Sequence, residues 1–147
     1  MYEIRTVIIV TASAERIWSV LTDFDAHPDW NPFVRSIEGR AQPGARLKVS
    51  IHPPGGKGMT FKPVVLKAEP NRELRWLGRF LFPGIFDGEH YFVIEPLDAN
   101  QVKFIHGERF SGILVSLLKS SLDGRTRARF EAMNLALKAR AESANTV

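Results

Sequence analysis

A chain of 147 residues without cysteine can bury one substantial core, but it has no disulfides, no thiolate metal ligands and no cysteine nucleophile. Its 20 basic and 16 acidic residues leave a net charge of +4 spread along the sequence, without the basic, aromatic-interleaved stripe of a nucleic-acid surface. Arg125, Arg127 and Arg129 form the densest basic cluster, with 125 and 129 on one helix face and 127 elsewhere, which reads as a solvated face.

Tyr2–Val10 reads as a strand ending in the β-branched run Val7-Ile8-Ile9-Val10. No leader-like stretch precedes it and no apolar run approaches a bilayer span, so the expectation is a cytoplasmic protein without stable membrane insertion. Ser13 is the expected N-cap of a helix reaching about Phe24, with Glu15 in its first turn and Trp18 packing in the core. The proline-rich stretch His27-Pro28-Asp29-Trp30-Asn31-Pro32-Phe33 allows only a short helical turn. Six strands then follow over 34–41, 46–52, 59–68, 73–80, 87–96 and 101–110, separated by turn sequences such as Gln42-Pro43-Gly44 and Pro70-Asn71-Arg72. His27 and His52 fall in the loop sequences and add nothing to a site.

After Gly112 the apolar period changes from two to the helical spacing of Leu114, Leu118, Leu122, Phe130, Met133 and Leu137, ending near Glu142. Asp123-Gly124 lies inside this stretch and is expected to kink or split it. No repeat, low-complexity tract or linker divides residues 1–147, which implies one domain. The order is one strand, two helices, six strands and a long helix: an α+β, seven-stranded antiparallel sheet whose apolar face the terminal helix must cover. Gly78, Gly88 and Gly107 are expected to mark bulges that bend the sheet.

The hairpin over residues 86–111 carries the most information. Phe86, Gly88, His90, Phe92 and Ile94 share one face of its first strand, and Val102, Phe104, His106, Glu108 and Phe110 share one face of the second. With Asp98-Ala99-Asn100 as a three-residue loop, His90 faces Glu108, Phe92 faces His106 and Ile94 faces Phe104. That register also places Glu95 opposite Lys103 and Glu89 opposite Arg109, whereas a slip by one would put Lys103 among the aromatics. An apolar wall holding His90, His106 and Glu108 has the makings of a small-molecule pocket. Trp76, Phe80, Phe92, Phe104 and Phe110 are expected to line it, roofed by Leu114, Leu117, Leu118, Leu122 and Phe130 from the helix.

This element order, with Trp30-Asn31-Pro32 after the first helix and Arg129-Phe130-Glu131-Ala132-Met133-Asn134 near the end, resembles the START-like superfamily. More narrowly it is similar to the bacterial polyketide cyclase/dehydrase-type branch, often labelled SRPBCC, through Glu73-Leu74-Arg75-Trp76, Gly88-Glu89-His90 and His106-Gly107-Glu108-Arg109-Phe110-Ser111-Gly112. The resemblance spans the chain and implies a helix-grip fold around a cavity for lipids, hormones, polyketides or other hydrophobic molecules. Some members are enzymes, and many are carriers or sensors. No Rieske-oxygenase iron motif, plant hormone-receptor gate or Hsp90-activator second domain is present, so no catalytic set transfers residue by residue.

Three functions remain open. The first is binding of a small lipid- or polyketide-like molecule, its polar groups anchored near His90, His106 and Glu108. The second is a cyclase or dehydratase in which His90 and Glu108 act as acid and base. The third is an interaction module with a collapsed cavity. Two histidines and a carboxylate have the composition of a facial metal triad, but no further ligand or supporting partner accompanies them, and no metal or cofactor is expected. Pro54-Gly55-Gly56-Lys57-Gly58 lacks phosphate-loop spacing and reads instead as a hairpin tip suited to a lid. The expected partner is a small hydrophobic ligand, with the chain a monomer or a homodimer.

Overall fold

The computed structural model describes residues 1–51, 58–80 and 84–143, with the side chains of Phe80 and residues 118–122 outside the description. The glycine-rich tip over 54–57 and His52 therefore lie outside the described residues. The elements run β1 (Tyr2–Val10), α1 (Ala14–Thr22), a 3-10 turn (Phe24–Ala26), α2 (His27–Trp30), β2 (Val34–Glu38), β3 (Lys48–Ile51) and β4 (Met59–Phe61). They continue with β5 (Val64–Glu69), β6 (Glu73–Phe80), β7 (Phe86–Asp98), β8 (Gln101–Ser111) and α3 (Val115–Ser143).

Local chemistry accounts for many of these boundaries. Ser13 caps α1, its side chain accepting from the Arg16 N–H at 3.1 Å. The segment over 59–68 is two strands, since Lys62-Pro63 divides it and Pro63 has no N–H for a ladder. The described strands thus number eight, five in the order β1-β8-β7-β6-β5 and three in the order β2-β3-β4. Bonds from Leu47 N to Pro63 O and from Val65 N to Ala45 O, both 2.8 Å, join the two ladders into one curved surface.

The β7–β8 register pairs His90 with Glu108, Phe92 with His106 and Glu95 with Lys103. Its turn is tighter than the three-residue loop: Asp98 pairs Gln101, and the extra residue is absorbed between Pro96 and Asp98. Gly78, Gly88 and Gly107 sit in regular pairs and are not bulges. Gly88 and Gly107 make room instead, as at Gly107, where a Cβ would collide with the Tyr91 hydroxyl. Tyr91 packs there on the outer face under the Arg75 guanidinium, 4.9 Å from its ring centroid, and donates to Glu3 Oε2 at 2.5 Å. Burial and that carboxylate push its phenol up to about 12.

α3 passes through Asp123-Gly124 without a break, supported by the Asp123–Arg127 pair one turn apart at 3.2 Å. Its buried residues Phe130, Met133, Asn134, Leu137 and Ala141 recur at helical spacing against the sheet. A fully buried Phe or Leu of this kind is worth about 1.5–3 kcal/mol. Leu117 is 75% exposed, so it does not roof the interior. α3 also covers the free edge of β1: Arg127 donates to Arg5 O at 3.1 Å and Lys138 to Ile9 O at 2.9 Å.

His27 is no idle loop residue. It is buried, its Nε2 donates to Leu21 O at 2.8 Å, and Asn31 Nδ2 donates to its Nδ1 at 3.1 Å. Asn31 Oδ1 in turn accepts from Phe33 N and Val34 N at 2.9 and 3.0 Å, clamping the entry to β2. Trp18 packs against the core, as does Trp30, whose buried indole nitrogen has no hydrogen-bond partner.

Candidate functional site

Three adjacent strands carry the site in rows. Trp76, His90 and Glu108 stand side by side across β6, β7 and β8, and Leu74, Phe92 and His106 form the next row. The third row is Gly78, Gly88 and Phe110. A Cβ on Gly88 would collide with Glu108 Oε2, so the glycine admits the carboxylate into the interior. The Trp76 ring stacks on His90 at 5.3 Å, and Phe130 from α3 stacks on His106 at 4.2 Å.

Five side chains form a hydrogen-bonded chain whose proton positions follow from one end. The Thr6 hydroxyl donates its hydrogen to His106 O at 2.7 Å, so its oxygen accepts from Asn134 Nδ2 at 2.8 Å. Asn134 Oδ1 therefore faces His106 Nδ1 as an acceptor, at 2.9 Å, and His106 carries its hydrogen on Nδ1. Burial, the neighbouring His90 charge adding to it, holds the His106 pKa well below the usual 6.5. Neutral His106 presents a lone pair at Nε2, and His90 Nε2–H donates to it at 2.7 Å. That leaves His90 Nδ1 against Glu108 Oε1 at 3.2 Å, a contact that needs one proton shared between the two.

A cavity of about 150 Å³ opens in front of this pair. Its apolar wall comes from Val34, Val49, Ile51 and Phe61 on the second ladder, with Phe33 and Met59, and from Trp76, Phe86 and Phe110 on the first. Its polar groups are His90, Glu108 and, from α3, Thr126 and Arg129. Of the expected lining, Trp76, His90, Glu108 and Phe110 are on this wall. His106, Phe92 and Phe104 lie behind it, fully buried. Leu114 is partly buried and outside the lining, and the side chains of Phe80, Leu118 and Leu122 are outside the described residues.

Arg129 corrects the solvated-face reading of the basic cluster. A signal was available: Thr126 precedes Phe130 by one turn, and Arg129 is its immediate neighbour, at the margin of the buried stripe. Among the described residues, no group of three ligating side chains is placed to hold a metal ion. No described helix is long and apolar enough to cross a membrane.

Gly88→Ala tests how Glu108 is admitted. The atom it strikes ends a flexible side chain, so stability should change by about 1 kcal/mol or less while Glu108 leaves His90. Thermal melts and His90 ring shifts by NMR check both halves, and an unmoved His90 resonance would refute the arrangement.

An antiparallel sheet curled around a long terminal helix, with a cavity between them, is the helix-grip architecture of START-like proteins. The chain belongs to the polyketide cyclase/dehydrase and lipid transport family, whose profile matches residues 1–142. The Zhui aromatase/cyclase from Streptomyces sp. R1128 is 16% identical with a TM-score of 0.80, over 99% of this chain and 96% of that one. A START superfamily protein from Mycobacterium smegmatis is 21% identical with a TM-score of 0.76, over 98% and 99% of the two chains. A norcoclaurine synthase mutant from Thalictrum flavum, bound to a transition-state analogue, is 15% identical with a TM-score of 0.75, over 99% and 96%. At these identities the likeness is one of fold. No curated protein sequence matches the chain significantly.

Proposed function

We propose that this chain, acting as one domain, binds a small hydrophobic molecule between sheet and α3, with a polar atom of the ligand held beside His90 by the Glu108 carboxylate. The observation that supports this most is an apolar cavity of about 150 Å³ into which a prearranged hydrogen-bonded pair projects. Among the described residues, no aromatic side chain fills the space. A cavity of about this volume, lined by apolar side chains, accommodates one benzene-sized ring. A ring or the end of a chain therefore fits, in place of a whole lipid.

Toluene is the simplest probe. At ten times its Kd it should stabilise the chain by about 1.4 kcal/mol, raising the melting temperature by about 3–6 °C. Ile51→Phe, which fills the cavity, should abolish the shift. No shift in the unsubstituted chain would refute the binding reading.

A second reading is acid–base catalysis of a cyclase or dehydratase type. The shared proton between His90 and Glu108 favours it, because one group can accept a proton while the other delivers one. The two readings part at Glu108→Gln, where catalysis requires turnover to be lost while toluene still binds.

A further inference from the structure

The charge of the cavity can be counted. While hydrogen-bonded, His90 and Glu108 share one proton and are together neutral, whether written as imidazolium and carboxylate or as two uncharged groups. His106 behind them is neutral. Arg129 is then the charge left over among the described lining residues, and the cavity carries about one positive charge.

No ion pair or hydrogen bond of Arg129 is formed among the described residues, although Glu108 lines the same cavity. Its neighbours Arg127 and Lys138 are engaged, donating to the β1 edge and pairing with Asp123 and Glu142. Arg129 is partly buried, and a ligand entering the cavity would strip water from it without supplying a counter-charge if that ligand were neutral. Thr126, one turn earlier on the same helix, places a hydroxyl on the same wall.

We infer that the cavity selects a ring-sized carboxylic acid in its ionised form, the ring against Trp76 and the second ladder and the carboxylate on Arg129 and Thr126. The inference rests on the binding reading above and adds the charge of the ligand to it. The guanidinium fork suits a carboxylate because two parallel N–H donors meet its two oxygens, which a lysine ammonium does not reproduce. Glu108 lines the same cavity from β8, and its Oε2, outside the bond to His90, is left to accept from a hydroxyl on the ring.

Calorimetric titration with benzoate, benzamide and toluene tests it. Benzoate should bind at least ten times more tightly than its neutral isostere benzamide. Arg129→Gln should erase that preference, and Arg129→Lys should keep only part of it, with circular dichroism and melting verifying that both variants fold. Equal binding of benzoate and benzamide, or a preference that survives Arg129→Gln, would overturn the inference. If toluene binds without any preference for benzoate, the cavity reading stands and this inference alone fails. If none of the three binds, both fail.

Discussion

Asn134→Ala is expected to destabilise the chain by about 2–5 kcal/mol and to free His106 from its single tautomer. The residue lies buried as the second member of the five-member chain, between Thr6 and His106, and both ends of its amide are in use, one on His106 Nδ1 and one on Thr6 Oγ1. Removing it takes from the buried His106 N–H its side-chain acceptor, with only the Phe130 carbonyl left nearby, and from the buried Thr6 hydroxyl its donor. Each such group costs about 1–3 kcal/mol, because water cannot replace the lost partner. For a chain of this size the melting temperature should fall by about 5–15 °C. Leu135→Ala is the control: the neighbouring residue is 62% exposed, and its loss should change stability by about 0.5 kcal/mol or less. Imidazole nitrogen shifts supply a second readout, since His106 should lose its preference for hydrogen on Nδ1. A variant that melts within about 1 °C of the parent would refute the proton order derived for the site.

Lowering the pH from 7 to 5 should destabilise the fold, steeply and through two histidines. Burial holds His27 below the usual 6.5, and burial together with the His90 charge holds His106 well below it. In the unfolded chain both titrate near 6.5. Below that pH the unfolded state takes up protons that the folded state refuses. Stability is therefore complete above about 6.5 and declines as the pH falls toward the folded values. Each histidine contributes a slope of up to about 1.4 kcal/mol per pH unit in that window. The lowered carboxylates Glu3 and Glu142 act below their ordinary value of 4.5, so they do not obscure it. Urea midpoints at pH 7.5, 6 and 5, with histidine ring shifts followed by NMR, check the sign. A flat stability profile, or two rings that titrate near 6.5 in the folded chain, would refute it.

The two buried histidines also show how far residue type alone carries a reading. His106 was legible as an inward group because it alternates with Phe104 and Glu108 in a strand whose other face bears Lys103 and Arg109. His27 was not, because the proline-rich segment around it has no period to show which side is buried. Its partners, Leu21 O and Asn31, become visible only once the chain turns back on itself. The glycines divide in the same way. Their positions in the strands were plain, but whether each bends the sheet or makes room depends on what lies over it, and Glu108 lies over Gly88.

Asp123-Gly124 was misleading for a related reason. A glycine weakens a helix by about 1 kcal/mol, which the Asp123–Arg127 pair and the packing of Phe130 and its neighbours offset. Arg129 was assigned to water because its own cluster is charged. The wall opposite it is built by β2, β3 and β4, more than sixty residues earlier, and no local pattern reports that approach.

Strand and helix order, the hairpin register and the inward direction of His90, His106 and Glu108 were determined by the amino-acid sequence itself, because side-chain period is a local property of the backbone. Which inward groups meet empty space, which lie sealed behind them, and that Arg129 joins the cavity were decided by the tertiary structure alone. Those outcomes depend on how far the second ladder curls toward α3, and curvature is set by packing between residues distant in sequence.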